Sequence, residues 1–194
     1  MKNIRSIYHY IFNGFATFVV RYFSGLKIGN GTKFKRFPMV LKHKRATIEI
    51  GSNTTINSSN YGYHINMFSG CKLYADRPEA YIKIGNNCRI HGSCIHAYKE
   101  IVIGDNCLIA ANTQIIDGNG HNLSFDAPEH RINTSDEGVP IVIEDNVWIA
   151  ASCIILGGTK IGAGSIITAG SVVKGDIPSN CIYGGNPAKL IKQY

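Results

Sequence analysis

The chain has 194 residues, of which 44% are hydrophobic and 17% charged, a composition that fits one domain with a core and excludes a disordered chain. The formal net charge of +7 suits an anionic partner, such as an acidic membrane surface, an acidic polysaccharide or a phosphorylated cofactor, without choosing among them. Six cysteines without a C-x-x-C pair predict reduced thiols in a cytoplasmic protein.

The chain begins with an apolar stretch. Residues 4–23 carry apolar side chains at helical spacing and predict an amphipathic helix within an N-terminal segment of residues 1–25. Arg5, His9 and Arg21 interrupt the stretch, which argues against a signal peptide and a transmembrane span. Two roles stay open: a cap on the end of the following fold, or peripheral attachment at the inner face of a membrane.

A six-residue repeat dominates the rest of the chain. Aliphatic residues recur at every sixth position, a small residue follows four positions later, and Gly, Asn or Asp lie between them. Six residues make three strand steps, and Gly and Asn accept the left-handed backbone of a corner. We therefore predict a parallel β-helix of triangular coils over residues 26–183, with the repeating aliphatic side chains inside. The repeating positions are Ile84, Ile90 and His96; Ile103, Ile109 and Ile115; and Ile143, Ile149, Ile155, Ile161, Ile167 and Val173.

A cluster of cysteine and histidine invites a metal hypothesis. Cys88, His91, Cys94 and His96 have a loosely zinc-like spacing. However, both cysteines fall on the small position of the hexad, where they should point into the core, and His96 falls on an aliphatic position. We expect no metal site.

The repeat has one long interruption. It stops after Ile116 and resumes at Ile141, which predicts an excursion loop over residues 117–140. The loop holds His121 and His130, and an imidazole with a near-neutral pKa is suited to general base catalysis.

Segments near the C-terminus resemble the last coils of the hexapeptide-repeat acetyltransferases, closest to the galactoside and maltose O-acetyltransferases and the polysaccharide O-acetyltransferases. The resemblance implies a left-handed, all-β solenoid, a homotrimer, and acetyl-CoA bound between neighbouring subunits. It covers at least half of the chain, with departures at Ala150, where the family usually has Gly, and at Gly175, where a Lys is common. The segments are residues 147–151, 161–166, 169–173, 176–178 and 185–189.

The resemblance also implies roles for the reacting end of the site. His121 matches the catalytic general base, and His91 takes the position of an asparagine that contacts the acceptor. Trp148 matches a tryptophan that lines the groove near the thioester. We add Asp117 as a carboxylate that orients the imidazole of His121, as carboxylates commonly do.

For the cofactor end, the family's contacts to the pantetheine arm match backbone N–H groups at Ala151, Ala169, Lys174 and Gly175. Lys189 and Lys192 match basic side chains near the adenine and the 3′-phosphate. We expect both lysines in a short C-terminal helix that follows a turn, within residues 184–194.

These interpretations predict an acetyl-CoA-dependent O-acetyltransferase that modifies a sugar or polysaccharide hydroxyl by direct transfer, without a metal. An enzyme for streptogramin-type xenobiotics or an amino-sugar N-acetyltransferase on the same fold is the alternative. A non-enzymatic β-helix, such as an assembly scaffold, would need neither a loop histidine nor a basic tail. Nucleic-acid binding is not expected, because the basic residues lack an aromatic reading surface.

Overall fold

The computed structural model describes residues 4–194, and their side chains from residue 6 onward. Helix α1 covers Ile4–Phe23 and precedes a solenoid of short strands. In chain order the strands are β1 Lys27–Ile28, β2 Lys33–Lys35, β3 Met39–Lys42, β4 Thr47–Ile50, β5 Thr55–Asn57, β6 Lys72–Ala75, β7 Tyr81–Ile84, β8 Arg89–His91, β9 Cys94–His96, β10 Glu100–Ile103, β11 Leu108–Ile109, β12 Gln114–Ile116, β13 Ile141–Ile143, β14 Trp148–Ile149, β15 Ile154–Leu156, β16 Lys160–Ile161, β17 Ile166–Ile167, β18 Val172–Val173, β19 Asp176–Ile177, β20 Cys181–Gly185 and β21 Ala188–Gln193.

From β1 to β20, successive strands go to three different parallel sheets. The first sheet has the order β1-β4-β7-β10-β13-β16-β19, the second β2-β5-β8-β11-β14-β17-β20-β21, and the third β18-β15-β12-β9-β6-β3. Each strand therefore stacks on the strand three places earlier in the chain. Three successive strands make one coil of a triangular prism. The prediction of a parallel β-helix is confirmed.

Isoleucine ladders fill the prism. In the first sheet Ile84, Ile103, Ile143, Ile161 and Ile177 stand in register on consecutive strands, and each is at most 5% exposed. Burying each such side chain contributes about 1.5–3 kcal/mol. Because a single coil has nothing to bury its side chains against, this stabilisation exists only when coils stack.

Asparagine residues turn the chain at the corner between the first and second sheets. Asn53, Asn87, Asn106, Asn146 and Asn180 all have φ between 57° and 62°. Asparagine tolerates this left-handed conformation better than most residues. The predicted use of Asn and Gly at corners is confirmed.

The coil that contains β8 and β9 has a shortened corner. The next buried aliphatic residue after Ile90 is Ile95, only five positions on, and Ser93 takes the small buried position. Cys94 and His96 are consequently half-buried on the outer side of β9. The core positions predicted for Cys94 and His96 were wrong, because the corner before them is one residue shorter than the repeat.

Helix α1 covers the open edge of the first coil with polar side chains. Phe34 N–H donates to Thr17 Oγ1 at 2.9 Å, and Arg36 N–H donates to Asn13 Oδ1 at 3.1 Å. The Arg21 guanidinium donates to two carbonyls of the same coil at 2.9 and 3.1 Å. These bonds satisfy backbone groups that an edge strand would otherwise leave exposed, so α1 acts as a cap. Within residues 4–194, no helix combines the length and the apolarity needed to cross a bilayer.

The C-terminus differs from its prediction. The predicted short helix is absent, and β21 instead pairs antiparallel with β20, with Gly185 opposite Ala188 and Ile182 opposite Lys192. β20 is the last parallel strand of the second sheet and has no further coil beyond it. A returning strand covers that free edge with hydrogen bonds, which a helix could not provide.

Candidate functional site

A groove of about 490 Å³ runs along the outer face of the second sheet. Four of the residues predicted to bind the acceptor or acetyl-CoA line it: His91, Trp148, Ala151 and Ala169. They come from three of the four consecutive coils that contain β8, β11, β14 and β17, and His91 and Ala169 are 78 positions apart in the sequence. The solenoid therefore gathers them into one surface cleft.

The polar end of the groove is organised around His91. Ser59 N–H donates to Asn57 Oδ1 at 3.0 Å, which turns the amide Nδ2 towards His91 Nδ1, also at 3.0 Å. Because the amide nitrogen can only donate, His91 Nδ1 accepts, and the neutral ring carries its hydrogen on Nε2. His91 thus offers a hydrogen-bond donor, as the amide of an asparagine would.

The surroundings keep His91 neutral. Burial lowers the pKa of His91 to about 4, and the positive charges of Lys35 and Arg89 act in the same direction. Since the ring is uncharged at neutral pH, it is not a cation for a phosphate. The cationic groups at this end of the groove are Lys35 and Arg89, which both line it.

A second excursion, between β5 and β6, completes this end and was missed by the sequence analysis. Its Tyr63 stacks on the His91 ring at 4.3 Å with an interplanar angle of 11°, and His64 lines the groove beside it. The sequence contains a sign of this excursion, because no aliphatic hexad spans the region between Ile56 and Leu73.

The other end of the groove is more apolar and offers unpaired backbone donors. Trp148 is 48% exposed and stands in register between Leu108 and Ile166 on the outer face of the second sheet. Among residues 4–194, no hydrogen bond engages the N–H of Ala151 or of Ala169, at the corner between the second and third sheets. Such groups are available to carbonyl or amide groups of a ligand.

Four predicted cofactor contacts lie outside this groove. Lys174 and Gly175 form a turn between β18 and β19, at the corner between the third and first sheets. Lys189 and Lys192 are exposed on β21, and the Lys192 ammonium lies 4.2 Å from the centre of the Tyr194 ring.

His121 lies on the excursion loop between β12 and β13, which leaves the prism at the same corner as Lys174 and Gly175. It is exposed, and its Nδ1 lies 3.1 Å from the Thr134 carbonyl oxygen. A neutral imidazole that donates Nδ1–H to this carbonyl keeps Nε2 as its basic nitrogen. The Thr134 hydroxyl in turn accepts from Asn122 N–H at 2.9 Å, which holds the two sides of the loop together.

Asp117 has a different setting from the one predicted. Its carboxylate is 1% exposed and accepts the backbone N–H groups of Tyr98, Lys99 and Glu100 at 2.6–2.8 Å. Burial raises the pKa of Asp117, while these three donors oppose the rise. The described hydrogen bonds of the Asp117 carboxylate thus all go to the preceding coil, and the group that contacts His121 Nδ1 is the Thr134 carbonyl.

A larger cavity, of about 740 Å³, lies between α1 and the excursion after β5. His9 stacks on Tyr61 at its wall, at 3.8 Å. None of the predicted site residues lines it. Nowhere in residues 4–194 do three or more His, Cys, Asp or Glu side chains come together in a way that could hold a metal ion.

Comparison with known proteins identifies the repeat. Residues 140–175 match the family described as bacterial transferase hexapeptide (six repeats), and residues 81–116 match the hexapeptide repeat of succinyl-transferase. A candidate lipopolysaccharide biosynthesis O-acetyl transferase of Escherichia coli, WbbJ, is 31% identical over 165 residues, 82% of this chain and 78% of that protein. The chain belongs to the hexapeptide-repeat acyltransferases.

Other members of this family extend the match. A candidate acetyltransferase of Schizosaccharomyces pombe is 37% identical over 133 residues, and this chain spans 56% of its length. The structure of a galactoside acetyltransferase in complex with coenzyme A superposes with a TM-score of 0.56 at 26% identity, over 86% of this chain and 64% of that one. The left-handed, all-β class predicted for the hexapeptide-repeat fold is confirmed.

Proposed function

We propose that this hexapeptide-repeat protein is an acetyl-CoA-dependent O-acetyltransferase that modifies a hydroxyl of a sugar or polysaccharide. The observation that carries the proposal is the groove that unites His91, Trp148, Ala151 and Ala169. The names of the relatives support it, because WbbJ is named for O-acetyl transfer in lipopolysaccharide biosynthesis and the galactoside acetyltransferase structure contains coenzyme A.

The chain's donors fit acetyl-CoA. The unpaired N–H groups of Ala151 and Ala169 suit the amide-rich pantetheine arm, and Trp148 offers an apolar wall beside it. We assign the N–H groups of Lys174 and Gly175 to the same arm, and the exposed ammonium groups of Lys189 and Lys192 to the phosphates. Acetyl-CoA, when bound, supplies the thioester whose carbonyl carbon the acceptor hydroxyl attacks.

His121 acts as the general base in this proposal. Nε2 takes the proton of the attacking hydroxyl, and the Thr134 carbonyl holds Nδ1–H and stabilises the imidazolium that forms. The same proton can then pass to the departing sulfur, so the base is restored at the end of a direct transfer. No protein nucleophile is needed when one site holds hydroxyl and thioester together.

The site is shared between copies of the chain, which assemble as a homotrimer. The groove opens beside the corner between the second and third sheets, whereas His121 leaves the prism at the corner between the third and first sheets. A loop from one subunit can reach the groove of the next in a ring with threefold symmetry. Leu123, Phe125 and Ile132 of this loop are 61–79% exposed, and packing on a neighbour would bury them.

The acceptor end favours a negatively charged substrate. Lys35 and Arg89 place two cations in the groove beside the neutral His91. An acidic polysaccharide or a nucleotide sugar would meet both charges, and His91 would donate a hydrogen bond to a hydroxyl. We also infer a cytoplasmic location, where the six free cysteines stay reduced.

The test is release of the CoA thiol from acetyl-CoA in the presence of a panel of acceptors. The panel holds monosaccharides, acidic oligosaccharides, nucleotide sugars, amino sugars and streptogramins, and mass spectrometry identifies the acetylated product. We expect turnover with a saccharide and an alkali-labile O-acetyl ester as product.

An N-acetylated amino sugar or an acetylated streptogramin as the best product would replace the proposed acceptor while keeping the acetyltransferase activity. No turnover together with no binding of acetyl-CoA, measured by calorimetry on the intact chain, would contradict the proposal as a whole.

A further inference from the structure

Helix α1 has a second apolar face that the solenoid does not cover. Ala16 and Val20 pack into the core on the inner side of the helix. The opposite side carries a stripe of large apolar side chains that are 46–67% exposed. The stripe consists of Ile7, Ile11, Phe15, Phe18 and Tyr22.

The spacing of the stripe shows that it is one face of the helix. Positions 7, 11, 15, 18 and 22 follow each other at intervals of three and four residues. The polar side chains of Asn13, Thr17 and Arg21 are bonded to the first coil, so they do not lie on the apolar stripe. The result is an outward aromatic and aliphatic surface on a helix too polar to span a bilayer.

The positive charge of the chain is concentrated around this helix. Residues 1–48 contain ten of the 20 Lys and Arg and none of the 13 Asp and Glu. This segment therefore has a formal charge of +10, while the remainder of the chain has −3. The net positive charge of the whole protein therefore comes entirely from its N-terminal segment, residues 1–48.

The basic side chains flank α1 directly. Lys33 and Lys35 are exposed on either side of Phe34, whose backbone N–H is bonded to Thr17, and Arg36 is exposed where its N–H is bonded to Asn13. Among the described residues, none of Lys33, Lys35 and Arg36 forms an ion pair. They are free to meet an anionic partner.

Two occupants could cover the apolar stripe, a second copy of the chain or a membrane surface, and charge decides between them. A second copy docked on this face would bring two segments of charge +10 together, and their repulsion opposes the contact. An anionic bilayer supplies the opposite charge for the basic side chains and an apolar layer for Phe15 and Phe18.

We infer that the N-terminal end of the protein, formed by the outer face of α1 and the flanking basic side chains, binds the surface of an anionic phospholipid bilayer. The helix lies in the plane of the headgroups. Its apolar stripe faces the acyl chains, and the solenoid is directed away from the membrane. This inference does not depend on the acetyltransferase activity, and either can fail without the other.

The experiment is flotation of the purified full-length protein with lipid vesicles. We expect it to float with vesicles of phosphatidylcholine and phosphatidylglycerol and far less with phosphatidylcholine alone. Binding to the anionic vesicles should weaken as the salt concentration is raised, because salt screens the charges. The apolar test variant is Ile11→Ser/Phe15→Ser/Phe18→Ser, and the charge test variant is Lys33→Glu/Arg36→Glu, which leaves the groove residue Lys35 unchanged. Each should lose most of the bound fraction.

Matched controls alter the same kinds of side chain elsewhere. Ile191→Ser changes an apolar residue that is 61% exposed on β21, and Lys83→Glu/Lys99→Glu makes the same charge change on exposed positions outside the N-terminal segment. Both should float like the wild type. Because all the changed side chains are exposed, circular dichroism should show folded protein in every case.

Three results would overturn the inference. They are no flotation of the wild type with anionic vesicles, flotation of both test variants equal to that of the wild type, and a change of oligomeric state in the apolar variant without any vesicle binding. The last result would assign the stripe to contact between copies.

Discussion

His91 and His121 have opposite surroundings, and these surroundings determine what each can do. His91 is half-buried, with its Nδ1 occupied by Asn57 and two cations nearby, so it is a neutral donor. His121 is exposed on a loop, and its Nδ1 faces the Thr134 carbonyl. Only the second arrangement leaves a basic nitrogen that can reach a substrate and become charged in water-accessible surroundings.

We predict that His121→Ala lowers kcat/KM by about 10²–10⁴-fold, which is the usual contribution of a general base. The melting temperature should not change, because the ring is exposed. The control is His130→Ala, an exposed histidine of the same loop, which should retain wild-type turnover. If His130→Ala were the inactive variant, the assignment of the base would be wrong.

His91 should make the stability of the fold depend on pH. Its pKa of about 4 in the folded chain lies below the value of about 6.5 for an unfolded chain, so the unfolded state binds more protons between these values. The contribution of the neutral His91 ring to the free energy of unfolding is fully present above about pH 6.5, and it is lost as the pH falls towards 4.

The measurement is urea unfolding of the wild type and of His91→Gln at neutral pH and near pH 5. Glutamine keeps a polar group beside Asn57 without a titrating ring, so the variant should lose less free energy of unfolding on acidification. An identical loss in both proteins would show that His91 is not the group responsible.

At the scale of elements, the excursion loop is long but firmly attached at its base. Asp117 binds three backbone N–H groups of the preceding coil, and Val139 N–H donates to the Asp117 carbonyl at 2.7 Å where the loop returns. A Cβ added at Gly157 would lie 2.2 Å from that carbonyl oxygen, so the next coil packs directly beneath. The loop therefore starts from a fixed point although its middle carries the exposed His121.

We predict that Asp117→Asn lowers the free energy of unfolding by about 1–3 kcal/mol, because an amide leaves at least one of the three part-buried N–H groups without an acceptor. Urea denaturation measures the change. Asp126→Asn, in the same loop and exposed, is the control and should cost almost nothing. An equal and small effect of both substitutions would mean that Asp117 does not hold the loop base.

At the scale of the whole molecule, the predicted site is divided between two corners of one prism. His121 belongs to one corner and the groove with Ala169 to another, so in the proposed homotrimer a complete site combines residues of two chains. We predict that co-expressed His121→Ala and Ala169→Trp chains recover turnover that neither variant has alone, because a mixed trimer pairs an intact loop with an intact groove.

The recovery is measured by CoA release from the purified mixed trimer, with each single variant as its own control. Sedimentation should show that all three preparations have the same oligomeric state. A mixture as inactive as its components, at an unchanged oligomeric state, would place the whole site within one chain.

The amino-acid sequence by itself determined the architecture. The six-residue period is a local property, since it follows from strand alternation and from the left-handed tolerance of Gly and Asn at corners, and these act within a few residues of each other. The isoleucine ladders confirm this, and the loop between Ile116 and Ile141 is visible as the point where the period stops.

The tertiary structure decided the features that depend on partners distant in sequence. The five-residue step before Ile95 turned His96 outwards, and the free edge of β20 recruited the chain end as a strand where local residues suggested a helix. Asp117 lies only four positions from His121, yet its carboxylate bonds a coil that passes about 20 residues earlier in the sequence. At Asp117 and at β21, hydrogen bonds to a neighbouring coil or strand edge outweigh the local conformational preference of the sequence. The reason is that an unbonded buried polar group or an open strand edge costs more free energy than an unfavourable turn.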